Sequence, residues 1–511
     1  MPTTLNTSAV RDNPHEGAGK PSILKRLFIS TGKVSFYQGL GLLLGFGLQV
    51  FISHTCGATG MGGYTLFISW LAMLSVLTVP GMEGALVYFL PRFERDIDSR
   101  RKVLRVCLST IAVTSLLSAA VVLAAADRIL LLIGLPSGTS RAFAIAIIFF
   151  SVGKLLDAVF LGMKDAQLIG YFNVIRTILR FIFCLPILLY PKASWTILFY
   201  GVACECVVTV GLRFGSLRRR YPNLLKIDRG LKTKSELRAK EVFAISVPMC
   251  GINVIEVAYP CLDKAILGFM VPLALVGVYK ASESIASLNS LFVSPFVAFW
   301  PYISKLFAEN RLDELRNAYQ NVTLVIIALM IPFSLALVEL SGVALSIFGH
   351  SFVVQGTTVL LVLAFGSAID AIAGPAGAVL RMTKHSRLAL VINVTLIIVY
   401  CGLALVLTKE YGVLGAAVAR TVTVVLGNVV NVTANHLLIG IFPYTIKHAW
   451  LLGCGVSILA IRTFSPTLAI GVGGHCIVAL VEVTAFVLCA AITLRVELKQ
   501  IMEKARNLLT A

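Results

Sequence analysis

Charged residues are scarce in this chain of 511 residues: Asp, Glu, Lys and Arg make up 14% of it, whereas hydrophobic residues make up 58%. A soluble globular protein has about 25% charged residues, because its surface must be polar. Apolar runs longer than about 18 residues recur between positions 35 and 494, and such runs are typical of membrane-spanning helices. The composition excludes a string of soluble domains and predicts one polytopic membrane protein.

The N-terminus lacks the apolar core of a cleavable signal peptide, because its first 27 residues, MPTTLNTSAVRDNPHEGAGKPSILKRL, are polar. The 11 cysteines include no CxxC pair and the seven histidines include no HExxH motif. The glycine-rich stretch GLGLLLGFG is not followed by the GK[ST] of a phosphate-binding loop. We therefore expect no metal, no cofactor and no ATP site.

The apolar runs predict fourteen spans of about 20 to 28 residues, which is enough to cross a bilayer with some tilt. They begin near residues 35, 64, 103, 141, 171, 193, 242, 273, 321, 355, 387, 412, 445 and 467.

The basic residues support this arrangement and orient it. If both termini and the loops after the even-numbered spans face the cytoplasm, these segments hold 33 of the 44 lysines and arginines. Such a bias predicts a protein of the cytoplasmic membrane with both termini on the cytoplasmic side. It also explains the net charge of +19, so no nucleic-acid partner is expected. Six basic residues fall in the opposite loops, namely Arg128, Arg141, Lys192, Lys264, Lys409 and Arg462.

The largest basic loop divides the chain. Residues 213–241 carry ten lysines and arginines, and they separate two sets of six spans. This loop is interpreted mainly as a topology determinant, and alternatively as a contact for anionic lipid or a partner. The predicted organisation is a cytoplasmic tail (1–33), a first lobe (34–212), the linker (213–241), a second lobe (242–440), two appended spans (441–494) and a C-terminal tail (495–511).

Three stretches resemble the polysaccharide flippases of the multidrug/oligosaccharidyl-lipid/polysaccharide exporter superfamily. The first is ATGMGGYTLFISWLAMLSVLTVPGMEGALVYFLPRF (58–93), in which a Gly-Tyr pair opens a span. In the second (261–306), Asp263 and Lys264 precede ILG, then VGVY and finally Pro301. The third is YGVLGAAVARTVTVVLGNVV (411–430).

This resemblance implies an all-α integral membrane fold: two pseudosymmetric six-helix lobes around a central cavity that opens alternately to each side, plus two C-terminal helices. It implies a flippase for polyprenyl-diphosphate-linked oligosaccharide in surface polysaccharide biosynthesis, with a polysaccharide polymerase and glycosyltransferases as possible partners. The alternatives are a lipid II flippase, a cation-coupled drug exporter, and, in a different class, a membrane polysaccharide polymerase or transferase. Span 1 carries no charge, which weighs against the first two, and the short noncytoplasmic loops weigh against an enzyme.

Ionisable residues inside spans are candidates for the transport site, because a charge in a bilayer is costly unless it is paired or faces a cavity. Counting from the turn GMKDAQLIG (162–170) at 1.5 Å per residue, Asp157 and Arg176 lie at similar depth, about 9 Å, and Lys154 and Arg180 at about 15 Å. Asp157 could then pair with Arg176, which leaves Lys154 and Arg180 free to bind a diphosphate.

An alternative remains open at this point. Glu83 and Glu205 lie at comparable depth and could neutralise the cations, which would make the whole group a structural ion-pair network.

The second lobe has its own charges. Lys280 and Glu283 are three residues apart and could pair on one helix face. Glu256 and Arg420 are the candidates for a cavity role, and Glu339, Asp370 and Glu482 complete the set. Pro80, Gly81 and Pro248 are predicted either as hinges or as sites of close helix packing.

Overall fold

The computed structural model describes residues 23–94, 96–124, 130, 134–136, 138–189, 195–225, 238–254, 257, 259–289, 300–464 and 471–510. Within these ranges the secondary structure is helical, without a strand. The first eight helices are α1 (Ile23–Thr78), α2 (Met82–Arg92), α3 (Ile97–Ala124), α4 (Ser140–Gly162), α5 (Ala166–Cys184), α6 (Pro186–Leu189), α7 (Ile197–Arg220) and α8 (Pro222–Leu225).

The second set begins after the predicted linker. Its members are α9 (Ala239–Asn253), α10 (Tyr259–Met270), α11 (Leu273–Ala286) with a 3-10 turn at Ser287–Asn289, α12 (Trp300–Ala308), α13 (Leu312–Ser346), α14 (His350–Ala373), α15 (Ala376–Met382) and α16 (Ser386–Ile439). Two further helices follow, α17 (Ile446–Phe464) and α18 (Gly471–Thr510).

Among the described residues, nine helices are long and apolar enough to cross a membrane. Two of these contain two spans each, because Gly57 interrupts α1 and Gly412 interrupts α16 with non-helical backbone angles. Among the shorter described helices, α17 is apolar over Ile446–Ile461. The predicted all-α fold with many membrane-spanning helices is confirmed, and the count of fourteen spans stays a prediction.

Two turns repeat the same local structure in the two lobes. Lys164 after α4 and Lys384 after α15 both adopt left-handed backbone angles, with φ of 65° and 60°. The sequences that follow, KDAQLIGYFNV (164–174) and KHSRLALVINV (384–394), share the lysine, a leucine and an Asn-Val pair. Position 164 therefore corresponds to position 384, and α5 corresponds to the first part of α16.

A second repeat relates α7 to the last part of α16. GVACECVVTV (201–210) matches GAAVARTVTV (415–424) at the opening glycine, at an alanine and at the final Val-Thr-Val. Position 201 thus corresponds to position 415. We call α1–α8 the first lobe and α9–α16 the second lobe. The two matches relate α5 and α7 to the two parts of α16, and α17 and α18 follow the second lobe.

The two lobes touch at both ends of the segment between Gly57 and Gly81. At one end α1 packs against α11, and a Cβ at Gly62 would overlap the carbonyl oxygen of Leu273. At the other end α2 packs against α9, and a Cβ at Gly81 would overlap the carbonyl oxygen of Ser246. Only glycine allows these backbones to approach so closely.

The predicted hinge residues lie where helices are interrupted or packed. Pro80 and Gly81 separate α1 from α2, and Gly81 has a left-handed φ of 68°. Pro248 lies inside α9. Gly81 therefore interrupts the helix and also makes the close packing contact with α9. Its role as a hinge in motion stays a prediction.

The predicted boundaries differ from the helix ends at two places. Residues 213–220, which the sequence predicts as the start of the linker, form the last two turns of α7, and Arg213 is buried. Residues 23–33, which were assigned to the N-terminal tail, belong to α1. Residues 226–237 of the linker lie outside the described residues, so its role stays a prediction.

Candidate functional site

The intramembrane charges of the first lobe lie on four helices, three of which border a small cavity. We define the first-lobe charge cluster as Glu83 on α2, Lys154 and Asp157 on α4, Arg176 and Arg180 on α5, and Glu205 and Arg213 on α7. Four cations thus face three carboxylates. How they pair decides which of them could meet a ligand.

Arg180 is held by Glu205. Its Nη2 and Nε atoms donate to the same carboxylate oxygen, Glu205 Oε2, at 2.6 and 3.0 Å. Glu205 is fully buried and also accepts the Thr209 hydroxyl at 3.4 Å. The prediction that Arg180 is uncompensated is therefore wrong, and the arginine completes a buried ion pair.

Asp157 pairs with Arg213, which is a different partner from the predicted Arg176. Arg213 Nε lies 2.9 Å from Asp157 Oδ1, and the arginine is 3% exposed. The error comes from the start of α5 at Ala166, which places Arg176 ten residues, or about 15 Å, from the turn. Asp157 lies only five residues before the end of α4, at about 8 Å, and so it is level with Arg213, seven residues before the end of α7.

Lys154 is also compensated, although less tightly. Its Nζ atom lies 3.8 Å from Glu83 Oε1, and both side chains keep about a quarter of their surface exposed. The expectation of a free Lys154 is corrected, and the alternative in which Glu83 and Glu205 neutralise cations describes the geometry better.

Arg176 is the cation that remains. None of the described residues forms an ion pair or a side-chain hydrogen bond with it, while each of the three carboxylates is engaged by another cation. Arg176 is half-buried and borders a cavity of about 20 Å³ together with Lys154 and Asp157. The cluster thus presents one uncompensated guanidinium to an interior space.

The second lobe contains a denser ion network. Arg420 Nη1 lies 2.6 Å from both Asp263 Oδ2 and Glu283 Oε1. Lys264 Nζ contacts Glu283 and lies 3.0 Å from Asp263 Oδ1. The Tyr279 hydroxyl donates to Asp263 at 2.9 Å. Each of the two carboxylates is thereby engaged by more than one donor.

Two predictions about this network can be judged. The pairing of Lys280 with Glu283 is confirmed, since Lys280 Nζ lies 2.9 Å from Glu283 Oε2. Lys264 was assigned to a loop on the opposite side, but it lies in α10 and is 5% exposed. Glu256 lies outside the described residues, so its predicted cavity role stays untested.

The second lobe contains three neighbouring cavities, and Arg420 borders the first of them. Their volumes are about 120, 140 and 270 Å³, and Asp370 contributes to the walls of all three. The carboxylate of Asp370 accepts a hydrogen bond from Asn428 Nδ2 at 2.9 Å. The space of about 140 Å³, which we call the amide cavity, is lined by polar residues that include Asp370, Asn393, Thr423, Asn428 and Asn431.

The sequence identifies most of the charged site residues but does not identify the residues that form ion pairs with them. Arg213 was assigned to the linker because it stands near three consecutive arginines, although four apolar or small residues separate it from them. In the sequence Asp263 stands out only as part of the family pattern, because its contact with Arg420 spans more than 150 residues of sequence. In the described part of the chain, no group of three or more His, Cys, Asp or Glu side chains could hold a metal ion.

Comparison with known proteins identifies the family. The model of the family described as polysaccharide biosynthesis protein matches residues 30–307, which is more than half of the chain. The chain is 22% identical over 424 residues to a probable low-salt glycan biosynthesis flippase, Agl15, of Haloferax volcanii, covering 82% of this chain and 85% of that protein.

Two solved structures have the same fold. The lipid II flippase MurJ in an inward closed conformation superimposes with a TM-score of 0.72 at 14% identity, covering 91% of this chain and 99% of that one. A multidrug resistance MATE family transporter in an inward-facing conformation gives 0.65 at 13% identity, covering 78% and 94%. Both identities are low, so these likenesses concern the fold alone. The family match, together with the helical fold and its many apolar helices, shows that the chain belongs to the polysaccharide biosynthesis protein family of multi-pass membrane proteins.

Proposed function

We propose that the protein is a flippase that carries a polyprenyl-diphosphate-linked glycan across the cytoplasmic membrane, and that Arg176 binds the diphosphate. The observation that carries the proposal is the unequal pairing of the first-lobe charge cluster. Three of its four cations are matched by carboxylates, and Arg176 is left facing a cavity. A lone guanidinium inside a membrane is costly and is retained where it meets an anionic ligand.

The chemistry of the guanidinium suits this ligand. Its planar fork can donate two parallel hydrogen bonds to phosphate oxygens, which a lysine cannot do. The paired neighbours leave one net positive charge at the cavity, and this charge lowers the cost of moving a diphosphate away from water. Arg180 and Asp157 then act as structural supports for the site, with Lys154 at its edge.

The comparisons support transport rather than catalysis. The curated relative Agl15 is named as a probable flippase, and the structures of similar fold are transporters. Lipid II is itself a polyprenyl-diphosphate glycan, so the first-lobe site does not by itself separate it from a surface-polysaccharide precursor. The placement of both termini in the cytoplasm, and an assembly with a polymerase or glycosyltransferases, belong to the proposal as predictions from the loop charges and the family.

Reconstitution into liposomes tests the proposal. Labelled undecaprenyl-diphosphate glycans, including lipid II as one of the substrates, are incorporated, and the fraction that becomes accessible to membrane-impermeant periodate is followed with time. We expect Arg176→Ala to slow translocation at least tenfold without lowering thermal stability, because this arginine holds no described ion pair. Arg176→Lys should recover part of the rate, because it restores the charge without the fork.

The matched control is Arg141→Ala, which removes an exposed arginine from the opposite end of α4. It should translocate at the wild-type rate. A wild-type rate for Arg176→Ala, in protein of normal stability, would show that the diphosphate is bound elsewhere.

A further inference from the structure

The amide cavity of the second lobe occupies the place that corresponds to the first-lobe cavity. The repeat that relates position 164 to 384 places Arg176 opposite Leu396, and the repeat that relates 201 to 415 places Thr209 opposite Thr423. Arg176 and Thr209 border the first-lobe cavity, and Leu396 and Thr423 border the amide cavity. The two spaces are therefore equivalent positions of one repeated architecture.

Their chemistry differs at the positions that matter most for a ligand. By the same correspondence, Leu396 replaces Arg176, and Gly427 replaces Arg213. The loss of the large Arg213 side chain leaves room, since the amide cavity holds about 140 Å³ and the first-lobe cavity about 20 Å³. Asp370 is the counterpart of Phe150, so a polar group has replaced an apolar one. The second cavity is thus larger, polar and without a lysine or arginine among its described lining residues.

Two asparagines of the amide cavity have hydrogen-bonding groups to offer. The side chains of Asn393 and Asn431 form no hydrogen bond with any described residue, although they lie seven residues from the start and eight from the end of the membrane-spanning α16. An amide in such a place is expensive unless it faces a polar space or a ligand. Each amide has both donors and acceptors, which is the combination that pairs with a hydroxyl group.

The polar lining of the amide cavity does not fit the two other parts of a lipid-linked substrate, the diphosphate and the polyprenyl chain. A diphosphate would meet the Asp370 carboxylate and no cation on the described lining, so it would be repelled. A polyprenyl chain would bury the amides of Asn393 and Asn431 without partners. A neutral group rich in hydroxyls satisfies the amides and tolerates the carboxylate.

We propose that the amide cavity binds sugar residues of the transported glycan through Asn393 and Asn431, so that the two equivalent cavities divide the substrate between them. This assignment rests on the proposed function, in which the first lobe takes the diphosphate. The adjoining second-lobe cavity includes Ser287, just beyond α11, and α11 contacts the first lobe where Ser284 hydrogen-bonds Gln49. The sugar site therefore lies beside the interface between the lobes.

Binding measurements on the full chain in nanodiscs test this division. The probes are undecaprenyl diphosphate and the same lipid carrying glucose, galactose or N-acetylglucosamine, and the measured quantity is the ratio of the dissociation constants with and without sugar. The wild-type protein should bind at least one glycosylated probe about tenfold more tightly than the bare lipid. Asn393→Ala with Asn431→Ala should bring this ratio close to one and leave the affinity for the bare lipid unchanged.

Controls separate this inference from the proposed function. Asn321→Ala, an exposed asparagine on α13 outside the cavity, should keep the wild-type ratio. Arg176→Ala should weaken all four probes alike; if it weakens none, the proposed diphosphate site fails whatever the asparagines do. A wild-type ratio in the double asparagine variant, or equal weakening of the bare and glycosylated lipids, overturns the sugar site. If the double asparagine variant keeps the sugar ratio but loses a dependence of lipid binding on sodium that the wild type shows, the cavity is a cation site instead.

Discussion

Arg213 is expected to keep Arg176 available, because it occupies the carboxylate that would otherwise capture it. Arg213 Nε lies 2.9 Å from Asp157 Oδ1, and Asp157 and Arg176 border the same cavity. Removing one partner of a buried ion pair costs about 3–5 kcal/mol, unless another charge takes its place. In Arg213→Ala, the nearest uncompensated charge that can do so is Arg176.

The size of the effect follows from this competition. Two opposite charges about 4 Å apart attract by about 4 kcal/mol at the effective dielectric constant found near protein surfaces. Even a third of this energy, about 1.4 kcal/mol, is a tenfold change in an equilibrium constant. We therefore expect Arg213→Ala to weaken binding of undecaprenyl diphosphate at least tenfold, towards the affinity of Arg176→Ala, in a nanodisc titration.

A second substitution distinguishes capture from damage to the fold. In Arg213→Ala with Asp157→Asn, no carboxylate is left to trap Arg176, so affinity should return towards the wild-type value. A general loss of structure would not be repaired by this second change, and thermal unfolding of all variants is followed to detect it. The reasoning is refuted if Arg213→Ala binds like the wild type, or if a stably folded double variant binds no better than the single one.

Two further predictions concern stability. Arg180→Ala should destabilise the protein by about 3–5 kcal/mol, because it leaves the fully buried Glu205 without its ion-pair partner. Arg180→Gln with Glu205→Gln should recover most of this loss. Thermal unfolding checks both variants, and equal stability of Arg180→Ala and the wild type would contradict the ion-pair argument. Gly62→Ala should cost at least 1–3 kcal/mol or separate the lobes at that end, because its Cβ would overlap a backbone oxygen, whereas Gly45→Ala, with no atom within 4 Å of its Cβ, should have no such effect.

The fold could be predicted from the sequence because its signals are local. Each apolar run is long enough to cross a bilayer, and the basic loops alternate with the spans. Gly57 and Gly412 interrupt the long helices α1 and α16. The lengths of the apolar runs nevertheless predict a boundary between two spans near each of these glycines. Length and charge asymmetry do not depend on which helix packs against which.

The pairing within the site could not be predicted, because it depends on relative depth and on contacts between distant helices. A shift of four residues in the start of α5 moves Arg176 by about 6 Å along the helix axis. This distance is enough to remove the predicted ion pair between Arg176 and Asp157. Arg213 became a partner of Asp157 only because α7 continues to Arg220, beyond the end that its apolar run suggests. Side chains of arginine and lysine reach far, so small errors in register change which ion pairs form.

The internal repeat explains why the charges are distributed unevenly between two otherwise similar lobes. In the first lobe, the helix after the repeated turn places Arg176 and Arg180 at positions where the second lobe has Leu396 and Tyr400. The second lobe instead has a cation at Arg420, whose counterpart is Cys206, and its Nη1 atom contacts both Asp263 and Glu283. A substrate that has one anionic part and one neutral polar part needs two such unlike surfaces, and a duplicated lobe supplies two equivalent positions on which they can diverge.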